Sequence, residues 1–84
     1  MLIINLQKGG DRVTNTEMLR EAIKKSGLKL EFIAEKLGIT RFSLAKKIEN
    51  ITEFKTSEVQ KMCDVLQIED VNTKEAIFFA KKVD

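Results

Sequence analysis

Residues 33–50 read IAEKLGITRFSLAKKIEN, two helical patterns broken by one glycine. A chain that interrupts a good helix at Gly38 and restarts it within two residues must form two short helices meeting at a sharp angle. Each part of that corner makes a steric demand. Gly38 tolerates the positive φ that the turn requires. Ala34 is small enough to let the two backbones approach. Ile33, Leu37, Ile39 and Leu44 direct apolar side chains inward from both arms and the turn, and Thr40 supplies a cap at the restart. One glycine between helices is weak evidence, whereas the whole set at this spacing is specific. It describes a helix-turn-helix, a unit whose second helix enters the DNA major groove.

The flanking sequence predicts more helices. Thr14-Asn15-Thr16-Glu17 fits a capping box, with Thr14 as N-cap, ahead of Met18, Leu19, Ala22 and Ile23 on one face and a stop at Gly27. The second helix covers Leu30 to Leu37 and the third follows Thr40, with Leu44 and Ile48 inward. Thr56 or Ser57 begins a fourth, carrying Val59, Met62, Cys63 and Leu66 at helical spacing. Asn72 is expected to cap a fifth, which carries Ala76, Ile77, Phe79 and Ala80. The expected core gathers Leu19, Ile23, Ile33, Leu37, Ile39, Leu44, Ile48, Val59 and Leu66. Met62 and Cys63 are expected to pack there too rather than act in redox or ligand chemistry. The fold class expected is all-α, a compact domain of four to five helices over residues 14–84, with the helix-turn-helix at about 30–49.

Residues 1–13 stand outside this scheme as an N-terminal extension. Leu2 to Leu6 is the one strand-like pattern. Lys8-Gly9-Gly10-Asp11 can be encoded by AAAGGAGGTGAT, which resembles a bacterial ribosome-binding site, and Val13 by a GTG start codon. Residues 1–12 are therefore read as translated upstream sequence, against the alternative of a genuine N-terminal arm or edge strand.

Composition narrows the chemistry. The chain of 84 residues has no His, Tyr, Trp or Pro and a single cysteine, Cys63. Without His, a serine or cysteine nucleophile lacks its usual base, and the commonest zinc ligand is missing. "KGGD" is too short for a phosphate loop. No enzyme activity, metal, cofactor or small-molecule ligand is expected. One cysteine permits no internal disulfide and suits a reducing cytoplasm. No apolar run approaches the roughly 18 residues of a membrane span, and "MLIINL" lacks the basic lead of a signal peptide. A 43% hydrophobic content is enough for a core. Net charge is only +2, but residues 20–47 hold eight Lys/Arg against three acids, while residues 48–84 hold five against eight. A basic half beside an acidic half suits a polyanion-facing surface, or else ordinary solvated helix faces.

The stretch LREAIKKSGLKLEFIAEKLGITRFSLAKKIEN resembles the Cro and repressor helix-turn-helix proteins of bacteriophages and their bacterial relatives. TEFKTSEVQKMCDVLQI is similar to the fourth helix of small prophage members, so the likeness covers about residues 17–68. The ending AIFFAKKVD resembles those of short prophage regulators. Three departures weaken the phosphate-contact pattern: Leu30 stands where many members carry Gln, Ile48 closes the third helix one position late, and Ile51 follows Asn50 where Gly is common.

The resemblance implies that Arg41, Phe42, Ala45 and Lys46 read bases. Arg41 suits guanine O6 and N7, Lys46 guanine or phosphate, and Phe42 and Ala45 the thymine methyl. Phe42 has an alternative, folding back on helix two or the N-terminal segment. Lys29, Lys36, Thr40, Ser43, Lys47, Asn50 and Lys55 are placed for DNA backbone contacts, which position without specifying; each lysine among them equally suits a solvated surface. Phage operators are commonly palindromic, so the implied partner is double-stranded DNA bound by a homodimer. Ile77 and Phe78 are expected to fan outward as the dimer contact while Phe79 enters the core, against the alternative that both rings fold into one monomer core. The rival reading is a protein-interaction module on the same fold, an antitoxin or antirepressor.

Overall fold

In the computed structural model, which describes residues 12–81, five short helices pack around one apolar core. They are α1 (Thr16–Ser26), α2 (Leu30–Leu37), α3 (Arg41–Ile48), α4 (Thr56–Leu66) and α5 (Val71–Phe78). Two two-residue strands, β1 (Arg12–Val13) and β2 (Ala80–Lys81), pair antiparallel with Val13 opposite Ala80. The expected all-α class, the α2 bounds and the break at Gly38 all hold. Among the described residues no helix is long and apolar enough to cross a membrane.

The corner between α2 and α3 forms as its residues dictate. Gly38 has φ 77°, and the N–H groups of Gly38 and Ile39 donate to the carbonyls of Glu35 and Ala34, each at 3.0 Å. That pair of bonds closes the helix end and turns the chain inward. Thr40 then caps α3, its hydroxyl accepting the Ser43 N–H at 3.0 Å. The same closure ends α3 at Asn50 and α4 at Gln67, two non-glycine residues at φ 64° and 58°.

Other caps differ from expectation. Asn15, not Thr14, caps α1, its side chain accepting the Met18 N–H at 3.1 Å. Thr14 is buried and lies one residue outside, because its backbone bonds run to Asn50 instead. Asp70, not Asn72, caps α5, accepting both the N–H and the hydroxyl of Thr73. A carboxylate there faces the positive end of the helix. Its two bonds from Thr73 hold the Asp70 carboxyl below its ordinary value. At α4 the N-cap is Lys55, which has no side-chain acceptor, and Glu58 takes the Lys55 N–H at 2.8 Å.

Leu19, Ile33, Leu44, Ile48 and Met62 are fully enclosed, with Ile23, Ala34, Leu37, Val59 and Cys63 around them. Ile39 and Leu66, expected inside, are half-buried and pack against this cluster. Burial pushes the Cys63 thiol up, which keeps it protonated and unreactive.

The C-terminal helix reverses an expectation. Ile77 and Phe78 are buried, Phe78 at 5% exposure, while Phe79 is only partly covered and Ala76 is exposed. The cause is a partner ring: Phe54, from the α3–α4 loop, meets Phe78 edge-on at 5.5 Å and 88°. The Ile77 carbonyl also accepts the Asn15 N–H, tying α5 to the entry of α1. These two residues therefore close the monomer instead of fanning outward as expected of a dimer contact. The chain before α1 is likewise tied in, since Arg12 pairs with Lys81 and its guanidinium donates to the Phe79 carbonyl at 2.9 Å. The strand-like Leu2 to Leu6 and the remaining residues through 11 lie outside the described residues, whereas Arg12 and Val13 form β1.

Two substitutions test this packing. Leu44→Ala should cost about 2–5 kcal/mol in a chemical denaturation series, since it empties a fully enclosed site. Phe78→Glu should abolish cooperative unfolding by circular dichroism; a folded Phe78→Glu monomer would contradict the burial described here.

Candidate functional site

Helix α3 is divided lengthwise by burial. Leu44 and Ile48 face the core, while Arg41 and Phe42 are exposed and Ser43, Ala45 and Lys46 are half-buried on the flank. Phe42 is 74% exposed, the most open of the large apolar side chains described. Among the described residues it does not fold back on α2 or on the segment before α1. On its own helix, the Lys46 ammonium lies 5.3 Å from the ring centroid. That spacing is a cation–π contact, and at an exposed site it contributes about 0.5–1 kcal/mol. Leu30 and Glu31 of α2, with Thr40, Arg41, Phe42 and Ala45, line a shallow groove between the N-terminal ends of the two helices. Arg41, Phe42, Ala45 and Lys46 therefore do come together on one outward surface.

The residues assigned to backbone contacts fare unevenly. Lys29 is the exposed N-cap of α2 and adds no side-chain acceptor, so its charge accompanies free N–H groups at that helix end. Lys55 stands the same way at α4 and is exposed. Thr40 and Ser43 form the cap of α3. Lys36 lies away from the groove, its ammonium 5.2 Å from the ring of Phe32 on the outer side of α2.

Two of the assigned side chains are engaged within the domain. Lys47 is buried, at 8% exposure, and its ammonium donates to the Glu53 carbonyl at 2.9 Å and pairs with Glu58 at 3.0 Å. Three residues after Leu44, it falls on the inner edge of α3, so it braces α3 against α4 instead of meeting phosphate. Asn50 is also occupied, because its amide bonds both the N–H and the carbonyl of Thr14, at 2.9 and 2.8 Å.

The reading from sequence missed Phe32, exposed and paired with Lys36, although its Phe-x-x-x-Lys spacing repeats that of Phe42 and Lys46. It also missed the exposed ion pair of Arg20 with Glu49, which links α1 to the end of α3. A pair so exposed contributes at most about 1 kcal/mol. Among the described residues no group of three His, Cys, Asp or Glu could hold a metal. Comparison of the chain with protein-family models, curated proteins and solved structures finds no match.

The Glu58 carboxyl is raised by burial, but the Lys55 N–H and the Lys47 ammonium overcome that and leave it below its ordinary value of 4.5. A carboxyl lowered by folding stabilises the fold above its unfolded value and loses that contribution as pH falls through the folded value. Below pH 4.5 the thermal midpoint of the parent should therefore fall more steeply with pH than that of Glu58→Gln. Lys47→Met, which leaves the carboxylate buried and alone, should cost about 3–5 kcal/mol at neutral pH by denaturant titration. Parallel acid profiles for the parent and Glu58→Gln would show that this pair does not govern acid stability.

Proposed function

We propose that the protein is a sequence-specific DNA-binding transcriptional regulator of the Cro/repressor type, with α3 as the helix that enters the major groove. The observation that carries this reading is the outward surface of α3. There Arg41, Phe42, Ala45 and Lys46 stand together on a helix whose inner side is locked into the core. A freely solvated helix face has no use for an open phenyl ring, whereas base edges offer an apolar group in the thymine 5-methyl. Beside it, the Arg41 guanidinium suits guanine O6 and N7. Lys29, at an uncapped helix start, and Lys55, exposed at the start of α4, suit phosphates.

One domain of this size reads about half a site, so two copies on a palindromic operator fit best, joined elsewhere than at Ile77 and Phe78. A cytoplasmic regulator of prophage origin, acting without cofactor or catalysis, is the setting that this reading implies. The alternative is a protein-interaction module, and Phe32 favours it. A second exposed ring, on the far side of α2 from the groove, suits contact with another protein.

A binding titration against the DNA flanking the gene, at two salt concentrations, decides between them. Arg41→Ala should weaken operator binding by about 1–3 kcal/mol and relax preference at one base pair. Lys55→Ala should weaken all sequences alike and reduce the salt slope by about one. Replacing operator thymines by uracil removes only methyl groups; at one position it should weaken the parent but leave Phe42→Ala unaffected. If neither Arg41→Ala nor Lys55→Ala alters DNA binding, the interaction-module reading takes over.

A further inference from the structure

We infer that Asn50 is a positioning residue for α3, clasping the end of that helix to the chain that precedes α1. The inference rests on the DNA-binding reading only for its consequence, because the clasp itself is geometric.

Asn50 does two things at once. Its backbone, at φ 64°, ends α3, with its own N–H donating to the Lys47 carbonyl and the Ile51 N–H donating to that of Lys46. Its side chain runs the other way. Oδ1 accepts the Thr14 N–H at 2.9 Å and Nδ2 donates to the Thr14 carbonyl at 2.8 Å. The amide thus imitates a neighbouring strand for a residue 36 positions away. Thr14 is buried, so its backbone N–H and carbonyl depend on those bonds for their pairing.

The two residues before Asn50 are held from the same side. The Thr16 hydroxyl donates to the Ile48 carbonyl, and Arg20 pairs with Glu49. From the other side Lys47 is held by Glu58 and by the Glu53 carbonyl. Polar bonds therefore fix the C-terminal end of α3 from two directions, while Arg41 and Phe42 project from its other end.

The lever is sensitive. Eight residues span about 12 Å, so a tilt of about 10° at Asn50 moves Arg41 by roughly 2 Å, more than the ~0.5 Å that a binding constellation tolerates. The side-chain amide also makes Asn the residue for the position. Gly accepts the left-handed backbone but has no clasp, and Asp keeps the acceptor while setting a charge against the Thr14 carbonyl.

The test uses the full chain with Asn50→Gly and Asn50→Asp. Asn50→Gly relieves the positive φ, so it should keep the helical circular dichroism and a cooperative melt. Amide hydrogen exchange should accelerate roughly tenfold for residues 44–48, the worth of one or two hydrogen bonds, with α4 unchanged. Operator affinity should fall by a similar factor while binding to unrelated duplex stays the same, and Asn50→Asp should do likewise. Unchanged exchange in α3 would overturn the inference. So would equal loss of protection in every helix, which would make Asn50 a residue of global stability. The exchange measurement needs no DNA: if the parent prefers no duplex, the regulator reading fails while the role of Asn50 is still decided.

Discussion

An eight-residue helix is not stable alone in water, and α2, α3 and α5 are each of that length. What the rest of the domain depends on is the set of anchors that holds α3 from its inner side. Leu44 and Ile48 contribute enclosed apolar surface, and between them Lys47 forms the nearly buried pair with Glu58. The pair carries its own compensation, since Glu58 also takes the Lys55 N–H and Lys47 also reaches the Glu53 carbonyl. A buried ion pair with such partners is costly to break from one side, and so fixes a geometry more than it adds stability. One carboxylate therefore starts α4 and orients α3 together.

Local sequence made the corner legible. Gly38, Thr40, Ala34 and Leu44 act through neighbours within a turn or two, where steric rules are strict. The residues that were misplaced answer to distant partners. Lys47 lies on the edge of the apolar stripe, and nothing nearby in sequence indicates the Glu58 carboxylate that draws it in. Asn50 has the composition of a phosphate ligand but meets a backbone segment from the other end of the domain. In "AIFFA" three consecutive large side chains leave the period ambiguous, and Phe54 decides which ring goes inside. The two-residue strands carry no readable alternation at all.

The candidate surface was legible for the opposite reason. Arg41, Phe42, Ala45 and Lys46 were placed by helical arithmetic from Leu44 and Ile48, and no tertiary contact overrides it. An outward aromatic is legible as an anomaly because apolar area is exposed where burial would be favourable. Phe32 is the same kind of anomaly, hidden in the sequence by the strong inward pattern of Ile33, Ala34 and Leu37 beside it.

The ribbon of β1 and β2 has a consequence for the order in which the domain assembles. The α2–α3 corner joins neighbours in the chain, and local contacts form quickly, whereas α1 also packs on α5 at the other end of the domain. The bond from Arg12 to Phe79 spans 67 positions and closes a loop whose entropy must be met in one step. Thr14 lies directly after that ribbon, so the segment that holds Asn50 settles only once the far end of the domain has arrived. During synthesis, closure of the core by Ile77 and Phe78 and the pairing of β1 with β2 both wait for the far end of the domain to leave the ribosome.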